Sequence, residues 1–310
     1  TLGGRELHVA VVWSIVPGYE ETSSKAIASV VDLTEHKRAE MALKRSLAEL
    51  TAAGVPEPAL AALRAQIETL GGTLITGEFA MFLRVFLDGL APLASEWRYI
   101  VGGAAALTMI WGNVAALTQD NVKRMLAYSS IAHAGYALLG LIAGGAAGVQ
   151  SVLFYMLIYT VTNLGAFGFV ILLESRGFAG ETVTDYAGLA RKHPLAAFGM
   201  LLFLLSLGGI PPTAGFMGKL YLFAAAVNAG YVWLVVLGVL MSAVSLYYYL
   251  RIVLQMYLRE GEGAEPAPLV ASPWTARVIY ACGVLVLAIG VYPLPFANAA
   301  RAAMAVLGGR

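Results

Sequence analysis

A single lysine constrains this chain more than any other feature. Residues 194–250 carry one charged side chain, Lys219, with 25 uncharged residues before it and 31 after it. One bilayer crossing takes about 20 apolar residues, so a stretch of this length reads as membrane-embedded. A lysine there costs about 2.5–3.5 kcal/mol on insertion scales, which makes it a functional candidate by default. It closes the segment Leu207-Gly208-Gly209-Ile210-Pro211-Pro212-Thr213-Ala214-Gly215-Phe216-Met217-Gly218-Lys219. Pro211 and Pro212 remove backbone donors and break the helix, and Gly215 lies within the same break. Broken helices at membrane depth are tolerated where they line hydrated cavities, and transporters use them as ion sites. A lysine snorkelling from a helix end is the plain alternative.

Composition agrees with this reading. Charged residues make up 13% of the 310, against about 25% in soluble domains, which excludes an ordinary cytosolic enzyme. The net charge of +1 gives no electrostatic case for nucleic acid. Cys282 is the single cysteine, in an apolar run, so neither a disulfide framework nor a thiolate metal site is expected. No P-loop, GxGxxG, HExxH or CxxC occurs, so no cofactor chemistry is visible. Charge is also unevenly spread: residues 1–75 hold 7 basic and 9 acidic side chains, residues 76–310 hold 13 and 10. The expected organisation is a small strand module (1–35), a helical linker (36–74) and a membrane domain (75–310). No signal-peptide pattern precedes the first strand.

In the first module Leu7, Val9, Val11, Trp13 and Ile15 alternate as a half-buried strand does. A turn at Pro17-Gly18 follows, then a second strand from Lys25 to Val31. Asp32 and Glu35 open a charged helix, and Leu60, Leu63, Ile67 and Leu70 mark another. The uncharged runs place crossings at 99–119, twice within 125–173 divided at Gly144–Gly148, twice within 194–250 turning near Asn228–Gly230, and once in 278–300 ending near Tyr292-Pro293. A weaker span at 75–93, interrupted by Glu78, Arg84 and Asp88, makes about seven. Basic loops carrying Lys123, Arg124, Arg176, Arg191, Lys192, Arg259 and Arg277 place the N-terminus in the cytoplasm and the C-terminus outside.

A second polar group lies in Asn121-to-Tyr136. His133 falls about 15 Å along a helix from Lys123, with Ser129, Ser130 and Tyr136 on its face. Histidine exchanges protons near neutral pH, and the hydroxyls could wire water to it. Interhelical hydrogen-bond glue is the alternative. Lys123 and Arg124 suit interfacial anchors, Tyr247-Tyr248-Tyr249 an aromatic belt or packing, and Asn163 packing.

Two resemblances follow. The segment Val31-Asp32-Leu33-Thr34-Glu35-His36-Lys37-Arg38-Ala39-Glu40 with its strand resembles the C-terminal end of a PAS sensor domain, without the half that holds a ligand; His36 reads as part of a solvated helix face. From Phe79 onward the chain resembles the C-terminal half of the subunit N family of NADH-quinone oxidoreductase (respiratory complex I). The matching segments are Leu83-Arg84-Val85-Phe86, Asn121 to Tyr136, Asn163 to Gly168, Ser206 to Tyr221 and Tyr247 to Arg251. Subunit L and cation/proton antiporters share the Gly-Lys region, but Tyr-Tyr-Tyr-Leu-Arg favours subunit N. The resemblance implies fourteen helices in two inverted repeats and a proton path along the midplane. Lys219 matches the lysine of the broken helix in the second repeat; Lys123 and His133 match the central polar axis. It also implies a bacterial inner membrane protein whose partners are other membrane subunits of complex I and the lipid bilayer. By the same resemblance, NADH and quinone are expected to be used by the whole complex with none bound by this chain, which is expected to have no redox centre or catalytic site of its own. The glutamate and lysine of the first repeat have no counterpart in these residues, and Ile75 stands where the family carries a lysine nine residues before the arginine matching Arg84. The expected fold is an all-α polytopic membrane protein of about seven transmembrane helices, one broken at Pro211-Pro212, with an N-terminal α+β PAS-like remnant. The rival functions are a cation/proton antiporter subunit and a PAS-linked membrane sensor.

Overall fold

In a bilayer every backbone polar group needs an internal partner, so apolar runs become helices and end where glycine, proline or charge intervenes. The computed structural model describes residues 9–15, 26–32, 82–175, 182–260 and 273–306. The chain divides into two units, Thr1–Ile67 and Glu68–Arg310. In the first, β1 (Val9–Ile15) and β2 (Ala26–Asp32) pair antiparallel, Val9 opposite Asp32 and Ile15 opposite Ala26. The charged helix after Asp32, His36, the helix around Leu60–Leu70 and Ile75 lie outside the described residues.

The regular elements described in the second unit are helical. A π turn (Val85–Gly89) and a 3-10 turn (Ala91–Leu93) lead into α1 (Ala94–Leu117). Asn121 caps α2 (Val122–Ala143) by accepting the Arg124 backbone N–H. Gly144 ends α2 with φ 66°, a conformation that favours glycine, and α3 (Gly145–Ser175) follows. A 3-10 turn (Val183–Tyr186) and a one-turn helix (Leu189–Lys192) lead to α4 (Pro194–Gly208), which starts on proline at its first position. After the break come α5 (Ala214–Asn228), α6 (Val232–Leu258), α7 (Pro273–Val291) and α8 (Leu294–Val306).

Four helical segments are long and apolar enough to cross a membrane: Ala91–Leu117, Val122–Ala143, Gly145–Val170 and Val232–Leu258. The pair α7–α8, bent by 95° at Tyr292-Pro293, makes a fifth only if taken together. The expected seven spans are therefore not found among the described residues. Hydropathy counts apolar residues, whereas a span needs continuous helix. α4 and α5 have 15 residues each, about 22 Å, short of the ~30 Å hydrocarbon core. Residues 85–93 form a π turn and a 3-10 turn instead of the end of a span.

α3 is the central helix, packing against α2, α4, α5, α7 and α8. One buried cluster gathers α3, α4, α6 and α7, and a second gathers α1, α2 and the start of α6. Leu107 and Trp111 of α1, Val236 and Leu240 of α6, and Val284 of α7 remain exposed, an apolar perimeter suited to lipid. At one end Arg251 of α6 pairs with Asp120 at 3.4 Å and donates to the Gln119 carbonyl, tying α6 to the α1–α2 loop.

α1 and α2 meet backbone to backbone. A Cβ on Gly112 would lie 2.6 Å from the Ala132 nitrogen, whereas one on Gly103 of the same helix meets nothing within 4 Å. Small residues at such crossings permit close helix approach. Gly112→Val is expected to cost about 1–3 kcal/mol by overpacking and to lower the detergent unfolding midpoint by several degrees. Gly103→Val should leave it within about one degree. Thermal unfolding of both variants checks this contrast.

Candidate functional site

Lys219 lies in the second turn of α5 and is 3% exposed. Its Nζ donates to the carbonyls of Leu207 at 3.1 Å and Gly208 at 3.3 Å. These carbonyls belong to the last turn of α4, where helix geometry leaves acceptors without intrahelical donors and the macrodipole favours a cation. Gly209, at φ 82°, lets the chain turn away there; a Cβ on it would lie 3.0 Å from Lys219 Cδ. The ammonium also faces the ring of Tyr136, 4.8 Å from its centroid.

The break that makes this cradle is stitched by hydroxyls. Ser206 Oγ accepts the Gly215 N–H at 3.1 Å and lies 3.2 Å from Thr162 Oγ1, joining α4, α5 and α3. A Cβ on Gly215 would run into the Ser206 carbonyl, so only glycine permits this approach. Thr213 Oγ1 donates to the Ile210 carbonyl at 2.6 Å. Pro211 and Pro212 sit exposed on the turn; they shape the break without lining the site.

His133 of α2, also buried, has a tyrosine hydroxyl at each ring nitrogen: Tyr155 of α3 at 2.6 Å from Nδ1 and Tyr249 of α6 at 3.4 Å from Nε2. A neutral imidazole is donor at one nitrogen and acceptor at the other, and a tyrosine hydroxyl can match either role. The Tyr248 hydroxyl donates to Asn113 Oδ1 at 3.1 Å. Asn113 Nδ2 in turn donates to the Met109 carbonyl at 2.7 Å and towards the Tyr136 hydroxyl at 3.4 Å. Between the lysine and the histidine lies a cavity of about 10 Å³, bordered by His133, Tyr155, Tyr159, Thr162, Ser206 and Lys219. Ile158, Leu207 and Gly215 complete the lining, and the space is about that of one water.

Of the residues expected from the sequence, Lys219, His133, Tyr136 and Gly215 come together here. Ser129 and Ser130 share the helix face of His133, but their hydroxyls donate to the Leu126 and Ala127 carbonyls of their own helix. Lys123 stands in the first turn of α2, ten residues from His133, and is not brought to the lysine. The tyrosine triplet departs from an aromatic belt: Tyr247 is 65% exposed, whereas Tyr248 and Tyr249 are fully enclosed. Sequence reasoning did not single out Asn113, Tyr155 or Ser206. A signal was present, since Asn113 interrupts an apolar run and Tyr155, Tyr159 and Thr162 recur at helical spacing.

The chain matches the family described as NADH:quinone oxidoreductase/Mrp antiporter, TM, over residues 20–245. NADH-quinone oxidoreductase subunit N of Trichlorobacter lovleyi is 47% identical over 234 residues, covering 75% of this chain and 47% of that protein. Subunit N 2 of Rhizobium meliloti is 50% identical over 226 residues, covering 72% and 46%. The chain thus spans about half the length of the curated relatives it matches. Among solved structures, respiratory complex I from Thermus thermophilus aligns with a TM-score of 0.55 and 38% identity, over 64% of this chain and 45% of that one. The membrane-bound sulfane sulfur reductase, an archaeal respiratory complex, aligns with a TM-score of 0.66 and 28% identity, over 81% and 50%. The expected PAS-like remnant at residues 1–45 finds no support, because the family match already begins at residue 20, inside that segment. A short strand pair and a charged segment are too generic a pattern to identify a sensor domain.

The geometry separates the partners of His133. A double-mutant cycle of His133→Ala with Tyr155→Phe should give a coupling of about 1 kcal/mol, within the range measured for membrane helices. The cycle of His133→Ala with Ser130→Ala should give less than about 0.3 kcal/mol. Detergent unfolding of the six chains measures both, and equal couplings would contradict the arrangement.

Proposed function

This chain belongs to the NADH:quinone oxidoreductase/Mrp antiporter transmembrane family, and we propose that it supplies a proton-translocating half-channel of a subunit-N-type membrane subunit, with Lys219 as the group that takes up and releases the proton. One observation carries this reading: the buried ammonium rests on backbone carbonyls and an aromatic face, and no carboxylate among the described residues pairs with it. A lysine in a structural ion pair would keep its proton to satisfy its partner. A lysine held by dipoles can be charged or neutral without stranding a buried counter-charge.

The path we propose runs from Lys219 through the cavity to His133. At His133 the two hydroxyl partners allow a proton to arrive on one ring nitrogen and leave from the other. Thr162 and Ser206 supply further donors and acceptors along the cavity wall. Lys123 serves as an anchor at the membrane boundary rather than as a relay. On this reading the chain binds neither NADH nor quinone and holds no redox centre; both substrates are used elsewhere in the whole complex. Its partners are other membrane subunits of complex I, in a bacterial inner membrane, with the basic loops at Lys123, Arg191 and Lys192 on the cytoplasmic side. The identities of 47% and 50% to subunits N favour this reading over a cation/proton antiporter subunit.

In the assembled complex carrying this segment, Lys219→Ala and Lys219→Arg are expected to assemble and to lose most proton translocation. Arginine keeps its proton at any working pH, so a relay fails where a mere helix anchor would be preserved. Proton pumping in vesicles, normalised to assembled complex, decides between them, and normal pumping by Lys219→Arg would make Lys219 an anchor. His133→Ala should lower pumping by less than about tenfold, because water and the neighbouring tyrosines replace part of its role.

A further inference from the structure

We infer that Tyr136, held in place by Asn113, is a positioning residue that recognises the charged form of Lys219 through its ring face. This inference rests on the reading of Lys219 as the proton carrier. Tyr136 stands one turn beyond His133 on α2 and is fully enclosed. Its hydroxyl accepts from Asn113 Nδ2 at 3.4 Å. What the lysine meets is the ring itself, its Nζ 4.8 Å from the centroid. An aromatic face attracts an ammonium through its quadrupole and has no such attraction for a neutral amine, and the attraction is larger where water is excluded. The carbonyls of Leu207 and Gly208 hold one side of the ammonium and the ring holds another. Losing the proton weakens both at once and frees the side chain toward the cavity shared with His133.

Asn113 is what keeps the ring in this attitude. It is wholly buried in the last turns of α1, and both its amide hydrogens and its oxygen are engaged: Oδ1 accepts from Tyr248, and Nδ2 donates to Met109 and Tyr136. An asparagine placed only as glue between helices would suffice with one partner across the interface. This one links α1, α2 and α6 around a single ring. The ring stacks edge-on with Phe223 of α5 at 6.3 Å, which restricts it further.

The test is a fluorination series at position 136 in the assembled complex. Phenylalanine and its mono-, di- and trifluorinated analogues keep the ring's shape while progressively emptying its face of electron density. Tyr136→Phe should lose about two- to threefold in proton translocation, because the Asn113 anchor is gone while the face remains. Each added fluorine should lower translocation further, by about tenfold in total relative to phenylalanine. A series flat across the fluorines, with assembly intact, would overturn the ring-face role. A Phe variant as inactive as the trifluorinated one would overturn it too, by assigning the function to the hydroxyl. Either failure is distinguishable from failure of the carrier reading itself, which appears as normal pumping by Lys219→Arg.

Discussion

The arrangement around the site depends on one interaction, the Lys219 ammonium resting on the open carbonyls at the end of α4. An unbroken helix would have used those acceptors for its own backbone, leaving the buried ammonium without them. Breaking the helix at Ile210–Thr213 exposes a dipole end at membrane depth and at the same time brings α5 back to present the lysine to it. The break and the charge are therefore mutually supporting. Each would be costly alone, since the loose carbonyls need a donor and the ammonium needs acceptors.

Holding such a break open requires local exceptions to helix chemistry, and the sequence supplies them within a few residues. Gly209 takes the left-handed turn, Gly215 admits the Ser206 carbonyl, and Ser206 accepts the free Gly215 N–H. On α7, Gly290 lets the helix approach the backbone of Pro212 and Thr213. Two 15-residue half-helices result, each too short to span, and they are braced by α3 on one side and α6 on the other. The polar residues line the junction of these elements, where His133, Tyr155 and Thr162 from α2 and α3 meet the lysine.

Much of this was legible in the amino-acid order. Lys219 stands out because a charge amid 56 uncharged neighbours in residues 194–250 needs a reason, and the adjacent prolines give the break directly. The turns at Gly144, at Asn228–Gly230 and at Tyr292-Pro293 were legible too, because glycine and proline mark them chemically. The number of spans was not, because hydropathy sees apolar length and not the short half-helices into which it is cut. Nor was the tyrosine shell of His133. Tyr155 and Tyr249 lie 22 and 116 residues away from it, and only the packing of α2 between α3 and α6 brings them together. The serines nearer in sequence were the natural expectation, and their hydroxyls donate to the Leu126 and Ala127 carbonyls of their own helix, as serine often does within a helix.

The central claim is that position 219 must carry a group able to gain and lose a proton, and not merely a positive charge. The most direct measurement replaces Lys219 by cysteine in a Cys282→Ala background of the assembled complex. The thiol is then converted either to an aminoethyl thioether, a titratable lysine isostere, or to a trimethylammonium derivative of fixed charge. With conversion verified by mass, the account predicts that aminoethylation restores most proton translocation in vesicles while the fixed charge leaves it near background. Equal restoration by both would contradict the account and leave Lys219 as a structural cation.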